Sequence, residues 1–374
     1  MTTKKYFLTL FLTLSGCANL SFSQTPRWTE TQTKEWYANQ PWLVGSNYIP
    51  ATAINELEMW QADTFDPKRI DLELGWAESL GLNTMRVFLH DLLWQHDPEG
   101  FKSRINKFLA IADKHHIKIL FVLFDSCWDP NPKLGKQHEP TPGVHNSGWV
   151  QSPGAAALQD PAQLPRLEAY VKGVVGAFAK DPRILGWDVW NEPSNKNGGS
   201  YNDPANKLEL VLALLPKVFT WSREAGAIQP LTSGLWEGDW SSEDKLGPVE
   251  KIQLSQSDVI SFHNYDDPES FEKHVKWLSK YNRPLLCTEY MARGNHSTFE
   301  GTLPIAKKYH VAAYNWGLVA GKTQTYLPWD SWQKPYTDRQ PAVWHHEIFH
   351  TDGQPYSQKE VDFIRAILKQ PPAH

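Results

Sequence analysis

Two glutamates each end a strongly apolar run. Glu192 closes Gly186-Trp-Asp-Val-Trp-Asn-Glu-Pro193, and Glu289 closes Pro284-Leu-Leu-Cys-Thr-Glu-Tyr290. A carboxyl group at the mouth of a buried strand can have its ionisation tuned by burial and by neighbouring charge. Two such groups facing one another can divide the chemistry of glycoside hydrolysis between them. One protonates a leaving oxygen, while the other attacks carbon or activates water. Pro193 follows Glu192 at once and, lacking an N–H, ends the ladder there. Other carboxylates compete as binding residues. Asp125 lies in Phe124-Asp-Ser-Cys-Trp128, and Glu237 and Asp239 follow a later apolar run.

The elements that must carry these residues alternate. Short runs rich in β-branched and aromatic residues read as strands at Leu43–Asn47, Thr84–Leu89, Ile117–Phe124, Ile184–Trp190, Pro230–Gly234, Val259–His263, Pro284–Thr288 and Val311–Trp316. Most are continuously apolar, as strands buried on both faces are. Helical spacing appears at Phe101–His116, Leu164–Lys180, Lys207–Ala225, Glu269–Tyr281, Phe299–Tyr309 and Ser357–Lys369. The separation of the two glutamates is 289 − 192 = 97 residues. At about 31 residues per βα unit that is three units, so the pair belongs on strands 4 and 7 of an α/β fold, a single-domain (β/α)8 TIM barrel. An open doubly wound sheet is disfavoured because no Gly-rich phosphate loop follows the first strand. Two connections are long, residues 125–162 after strand 3 and 317–356 after strand 8. Both leave the strand ends where barrel active sites form. Both are rich in Trp, Pro, Gly and His, so they read as functional loops. Trp128, Trp149, Trp236, Trp329, Trp332, His145 and Asn146 are the candidate sugar contacts among the loops at that end.

Asn191-Glu192-Pro193 on strand 4 and Thr288-Glu289 on strand 7 resemble glycoside hydrolase clan A, and within it the cellulase-type family 5. Arg86, in Asn83-Thr-Met-Arg86, resembles the arginine that braces the nucleophile. His263 and Tyr265 resemble the family's His-x-Tyr pair, and Trp316 its sugar-stacking tryptophan. The resemblance runs from Leu43 to Lys369. It implies a retaining β-glycosidase with Glu192 as acid/base and Glu289 as nucleophile, and it implies no metal and no organic cofactor. Asn191 would meet the sugar 2-hydroxyl. Asp125, Trp128 and Glu237 would support or bind substrate. Trp187-Asp-Val-x-Asn-Glu192 also resembles the acid/base strand of family 10 xylanases, but Pro193 and the His-x-Tyr pair fit family 5 better. Phe124-Asp-Ser-Cys-Trp128 matches no subfamily pattern, so the sugar is left open among xylan, mannan, glucan and galactan. A non-catalytic glycan-binding barrel is the alternative, disfavoured because both carboxylates are present.

Composition agrees with a carbohydrate partner. The 18 tryptophans supply flat apolar faces with one N–H each, which suit the C–H face and hydroxyl rim of a sugar. The net charge of −5 becomes −5 − 2 = −7 without Lys4 and Lys5. An acidic chain argues against nucleic acid, which wants a basic stripe. Residues 1–23 read as an export signal, 24–40 as a lead-in and 41–374 as the catalytic barrel. Lys4-Lys5 precede an apolar run too short to span a bilayer. Leu14-Ser15-Gly16-Cys17 resembles a lipoprotein cleavage box, with ordinary cleavage near Ser21-Phe22-Ser23-Gln24 as the alternative, so the only membrane contact expected is an N-terminal lipid anchor. Cys127 and Cys287 fall on distant strands and are expected as free thiols. A monomer is expected, exported to the cell envelope or else periplasmic or secreted. His346-Glu-Ile-Phe-His350 matches a zinc-peptidase pattern, but Thr351-Asp-Gly-Gln-Pro355 turns the chain at once, and that motif needs a helix.

Overall fold

The computed structural model describes residues 26–197 and 200–369. The expected export signal and Cys17 lie outside them.

The chain alternates helices and strands in the order α1 (Glu30–Ala38), β1 (Val44–Asn47), α2 (Glu56–Trp60), α3 (Pro67–Leu80), β2 (Thr84–Phe88), α4 (Asp91–His96), α5 (Pro98–Lys114) and β3 (Lys118–Val122). It continues with α6 (Ala155–Gln159), α7 (Leu164–Ala177), β4 (Ile184–Asp188), α8 (Lys207–Glu224), β5 (Leu231–Thr232), α9 (Pro248–Gln256), β6 (Ile260–His263), α10 (Pro268–Ser279), β7 (Leu285–Tyr290), α11 (Phe299–Lys308), β8 (Ala312–Trp316) and α12 (Gln358–Lys369). Every strand pairing is parallel, in the order β5-β4-β3-β2-β1-β8-β7-β6. The last gap closes just past β5, where Leu235 bridges Phe262 and exchanges backbone hydrogen bonds with Ser261 and His263. The result is the expected eight-stranded barrel. All strand residues but Lys118 and Trp316 are buried, which is why these runs show no polar alternation.

Helix starts follow local chemistry. Asp66, Asp97 and Asp267 each cap a helix whose first residue is proline, with the carboxylate accepting from the N–H three residues on. The missing N–H of Pro costs nothing at that position. Residues 30–38 form α1, fixed by a capping box between Thr29 and Gln32. Tyr37 packs with Leu43, Leu120, Leu185, Leu286 and Tyr314, so α1 plugs the N-terminal mouth of the barrel. Among the described residues no helix is long and apolar enough to cross a membrane.

At the opposite mouth the long segments after β3 and β8 are tied together. Asn146 N–H donates to Thr323 O at 2.7 Å, and Tyr336 N–H to Gly143 O at 2.8 Å. His145 N–H donates to Ser331 Oγ at 2.9 Å, and Gln324 Nε2 to Thr141 O at 2.8 Å. Neither segment is a free loop. Each supplies the partners that the other's backbone needs once water is excluded.

Candidate active site

The site is organised around Arg86, a fully buried cation on β2. A buried guanidinium is tolerated only when its charge and donors are matched. Here all five N–H groups are used. Nε and Nη2 donate to Asp188 Oδ2 at 3.0 and 2.8 Å. Nη1 donates to Asn47 Oδ1 and to Glu289 Oε1, each at 2.8 Å. Nη2 also donates to Asn191 Oδ1 at 2.7 Å. One side chain thus locks β1, β2, β4 and β7 together and fixes one oxygen of Glu289. The other oxygen accepts from Tyr265 OH at 2.7 Å.

Glu192 lies just past β4 at φ +41°. That left-handed conformation is disfavoured for a non-glycine residue and costs roughly 1–3 kcal/mol, so surrounding contacts must hold it. Asn195 N–H donates to Glu192 O at 2.9 Å, and Asn195 Nδ2 donates to Glu192 Oε2 at 2.6 Å. Asn195 is itself pinned by buried Lys207 at the start of α8, whose Nζ donates to Asn195 O at 2.7 Å. Cys127 Sγ–H also reaches Glu192 Oε2, at 3.2 Å. His263 Nδ1 lies 2.8 Å from Glu192 Oε1 and 3.6 Å from Glu289 Oε2, between the two carboxyls. Gly234 gives that ring its room: a Cβ there would lie 3.3 Å from His263 Nε2.

Oxygens of Glu192 and Glu289 and a ring nitrogen of His263 lie within 4.8 Å of one another. A separation of about 5–5.5 Å between carboxyls suits direct attack on a sugar carbon, whereas a water placed between them needs about 6.5–9.5 Å. Burial pushes the Glu192 carboxyl above its ordinary range, against the hydrogen bond from Asn195. Burial pushes Glu289 the same way, opposed by His263, Arg86 and the Tyr265 hydroxyl. Burial drives His263 down to about 4, leaving the ring neutral near neutral pH. The three also form a set of potential metal ligands, but the carboxylates already have donors in Arg86, Tyr265 and Asn195.

These groups open into a cleft of about 490 Å³. Of the residues singled out in the sequence, Glu192, Glu289, Asn191, Tyr265, Trp316, Asp125 and Trp128 line it, and so do Trp149, Trp236, Trp329, Trp332, His145 and Asn146. Arg86 and His263 stand directly behind. Asp125 accepts from Asn191 Nδ2 at 2.9 Å and from Trp149 Nε1 at 2.6 Å, so it orients neighbours. Glu237 is not brought into the cleft lining. It is exposed and accepts from Ser194 Oγ at 2.7 Å, beside Trp236. Of these tryptophans Trp149 is buried and walls the cleft, while Trp128 and Trp332 stack at 5.1 Å. Sequence reasoning missed Asp188, Asn47, Asn195 and the thiol of Cys127. Asp188 carried a signal, because a charge inside an apolar strand demands a partner. Cys127 and Cys287 are free thiols. The residues His346 to His350 are not helical. Phe349 and Pro355 pair across a turn, so the two histidines do not share a helix face.

A parallel barrel with two buried glutamates ending β4 and β7 over one arginine defines the glycoside hydrolase class. A family model, Cellulase (glycosyl hydrolase family 5), matches residues 76–335. The chain belongs to glycosyl hydrolase family 5. Among solved structures it is similar to the GH5_18 enzyme of Streptomyces cattleya in complex with Manb1-4GlcNAc, with 14% identity, 90% of this chain and 83% of that chain covered, and a TM-score of 0.60. It is similar to the exo-beta-1,4-mannosidase Op5Man5 from Opitutaceae bacterium strain TAV5, with 18% identity, 87% and 60% coverage and a TM-score of 0.58. The endo-1,4-beta-mannanase from Rhizomucor miehei follows at 14% identity, 87% and 98% coverage and a TM-score of 0.54. No curated protein sequence matches the chain.

Proposed function

We propose that this family 5 enzyme is a retaining β-glycosidase acting on β-linked polysaccharide or its oligosaccharides, with β-mannosides the first candidates. The observation that carries the reading is the pairing of Glu192 and Glu289, oxygens within 4.8 Å, with only Glu289 held by a guanidinium. In the first step Glu289 attacks the anomeric carbon. The bond to the leaving oxygen breaks as that oxygen takes the proton of Glu192, and a glycosyl ester on Glu289 results. In the second step water attacks the same carbon, gives a proton to Glu192 and releases the ester. Arg86 and Tyr265 favour the ionised form of Glu289 against the pull of burial, and burial favours the protonated form of Glu192. Asn191, which lines the cleft, is assigned to the sugar 2-hydroxyl, and Trp316 offers the ring a stacking face. The mannose preference rests on the activities of the similar solved structures, a mannosidase and a mannanase. Lys4-Lys5 and the apolar run after them support export to the cell envelope.

The test is sugar release from para-nitrophenyl β-mannoside, β-glucoside, β-xyloside and β-galactoside and from the matching polysaccharides, with Glu289→Ala alongside. Release by the wild type that falls by orders of magnitude in the variant is the expected result. Equal release from both would remove Glu289 from the mechanism.

A further inference from the structure

We infer that the cleft is blind at its glycone end and that the enzyme removes single sugars from the non-reducing ends of chains. This rests on the glycosidase reading above and deepens it.

The glycone side of the cleft is fixed by the residues that would meet it. Asn191, assigned to the 2-hydroxyl, leans on Arg86 of β2 and on Asp125 just past β3. Trp316, the stacking face, ends β8. The sugar whose bond is cut therefore lies over the arc β3-β2-β1-β8, and the leaving group points away from it, past Glu192 toward Asn195 and Trp236. An enzyme that cuts within a chain must let further sugars run out beyond that first ring, over β2 and β1.

That exit is filled. The segments after β3 and β8 flank β2 and β1 in the sheet order and join above them through the hydrogen bonds of Asn146, Tyr336, His145 and Gln324. Beneath the junction Trp149 packs edge-on against Phe88 at 5.1 Å and against Trp316 at 5.7 Å. Trp149 is 2% exposed. Its indole N–H is held by Asp125 at 2.6 Å, so it cannot swing aside without leaving a buried carboxylate short of a donor. Behind this wall, between Asn47, Tyr48, Phe88 and Trp149, the remaining void measures about 10 Å³, about the space of one water.

The cleft also carries unspent hydrogen-bonding groups, Asn146 at the closed end and two histidines on the side of β7, beside Tyr265. Asn146 is 2% exposed, sits at φ +48° and lines the cleft, and its side-chain oxygen has no partner. His145 and His346 also line the cleft, and Nδ1 of each engages a backbone carbonyl, Leu327 O at 2.7 Å and Met291 O at 2.6 Å. Those carbonyls can only accept, so each ring carries its proton on Nδ1 and presents Nε2 as an acceptor. Burial keeps both rings neutral, His145 at about 4. A terminal sugar ends in free hydroxyl donors, whereas an internal one has lost a donor to the next linkage. An unpartnered acceptor at the blind end, Asn146 Oδ1, is suited to reading the free hydroxyl of a chain terminus.

The probe is the β-1,4-linked hexaose of whichever sugar the wild type releases from its para-nitrophenyl glycoside, tagged with 2-aminobenzamide at the reducing end. Early in the reaction the tagged product is expected to be the pentaose, with free monosaccharide as the untagged product. A second hexaose, closed at its non-reducing end by a bulky 4-O-benzyl ether, is expected to resist cleavage. Tagged di-, tri- and tetraose together at the earliest times, or cleavage of the blocked hexaose, would overturn the inference and leave the glycosidase intact. Cleavage of a polysaccharide without release from any aryl glycoside would also overturn the inference, whereas failure to hydrolyse every aryl glycoside and polysaccharide would remove the underlying reading, and this inference with it.

Discussion

Replacing Tyr265 by phenylalanine removes one hydroxyl and little else. That hydroxyl donates to Glu289 Oε2 at 2.7 Å, while Oε1 keeps its contact with Arg86 at 2.8 Å. A hydrogen bond to a charged group contributes about 1.5–3 kcal/mol. The bond favours the ionised carboxylate, so its loss raises the pKa of Glu289. The ionised form is disfavoured by about that amount, so the pKa of Glu289 moves further up. Glu289 must be ionised to attack, so activity falls as pH drops through its pKa, and the acid limb of the kcat/KM profile moves to higher pH. The assay is kcat/KM against pH on a 2,4-dinitrophenyl β-glycoside, whose leaving group needs no proton, so the acid limb reports the attacking carboxylate rather than Glu192. An upward shift of that limb in Tyr265→Phe is expected. A limb that stays in place while activity falls would show that Tyr265 does not set the ionisation of Glu289.

Glu192→Ala should slow cleavage of an unactivated oligosaccharide by about 10²–10⁴-fold. The same variant should still release dinitrophenol in a burst followed by slow turnover, because only the second step then lacks its base; stopped-flow absorbance separates the two. Glu347 is a buried carboxyl in the segment after β8, accepting from Thr325 and pushed up by burial to about 8 from 4.5. The folded protein therefore binds that proton more tightly than the unfolded chain. Its contribution to stability is fully present below about 4.5 and is lost as pH rises toward about 8, by up to about 1.4 kcal/mol per unit. Glu347→Gln should flatten the fall in Tm over that window, and an unchanged slope would assign the fall to other groups.

Much of this architecture is legible in the residues because barrel strands buried on both faces spell themselves as apolar runs, and a polar residue ending such a run has a reason to be there. Glu192, Glu289, Arg86 and His263 are visible in that way. Asp188 sits in the same run as Glu192 and is easily overlooked beside it, although an unpaired charge inside a strand is untenable and its partner proves to be Arg86. The helices are less legible. Apolar spacing puts helix starts at Phe101 and Glu269, yet α5 and α10 begin at the Asp-Pro pairs before them. The same pair marks α3, a helix that the apolar spacing alone does not bring out. The strand expected at Pro230–Gly234 shrinks to Leu231–Thr232, since Pro230 has no N–H to give and Gly234 must stay small beside His263. The joining of the two long segments has no signature in the residues. Trp149 and Trp128 look alike in sequence. Only the packing makes one a wall and the other half of a stacked pair with Trp332. Asn195 and Cys127 reach Glu192 through turns whose course depends on Lys207.

Trapping the covalent intermediate would test the two-step mechanism outright. The wild type would be incubated with the 2-deoxy-2-fluoro glycosyl fluoride of the sugar it releases, digested, and mapped by mass spectrometry. A stoichiometric mass gain of one fluoroglycosyl group on the peptide carrying Glu289, with matching loss of activity, is the predicted result. Stoichiometric labelling of another carboxylate, or hydrolysis that inverts the anomeric configuration without any adduct, would exclude Glu289 as the nucleophile.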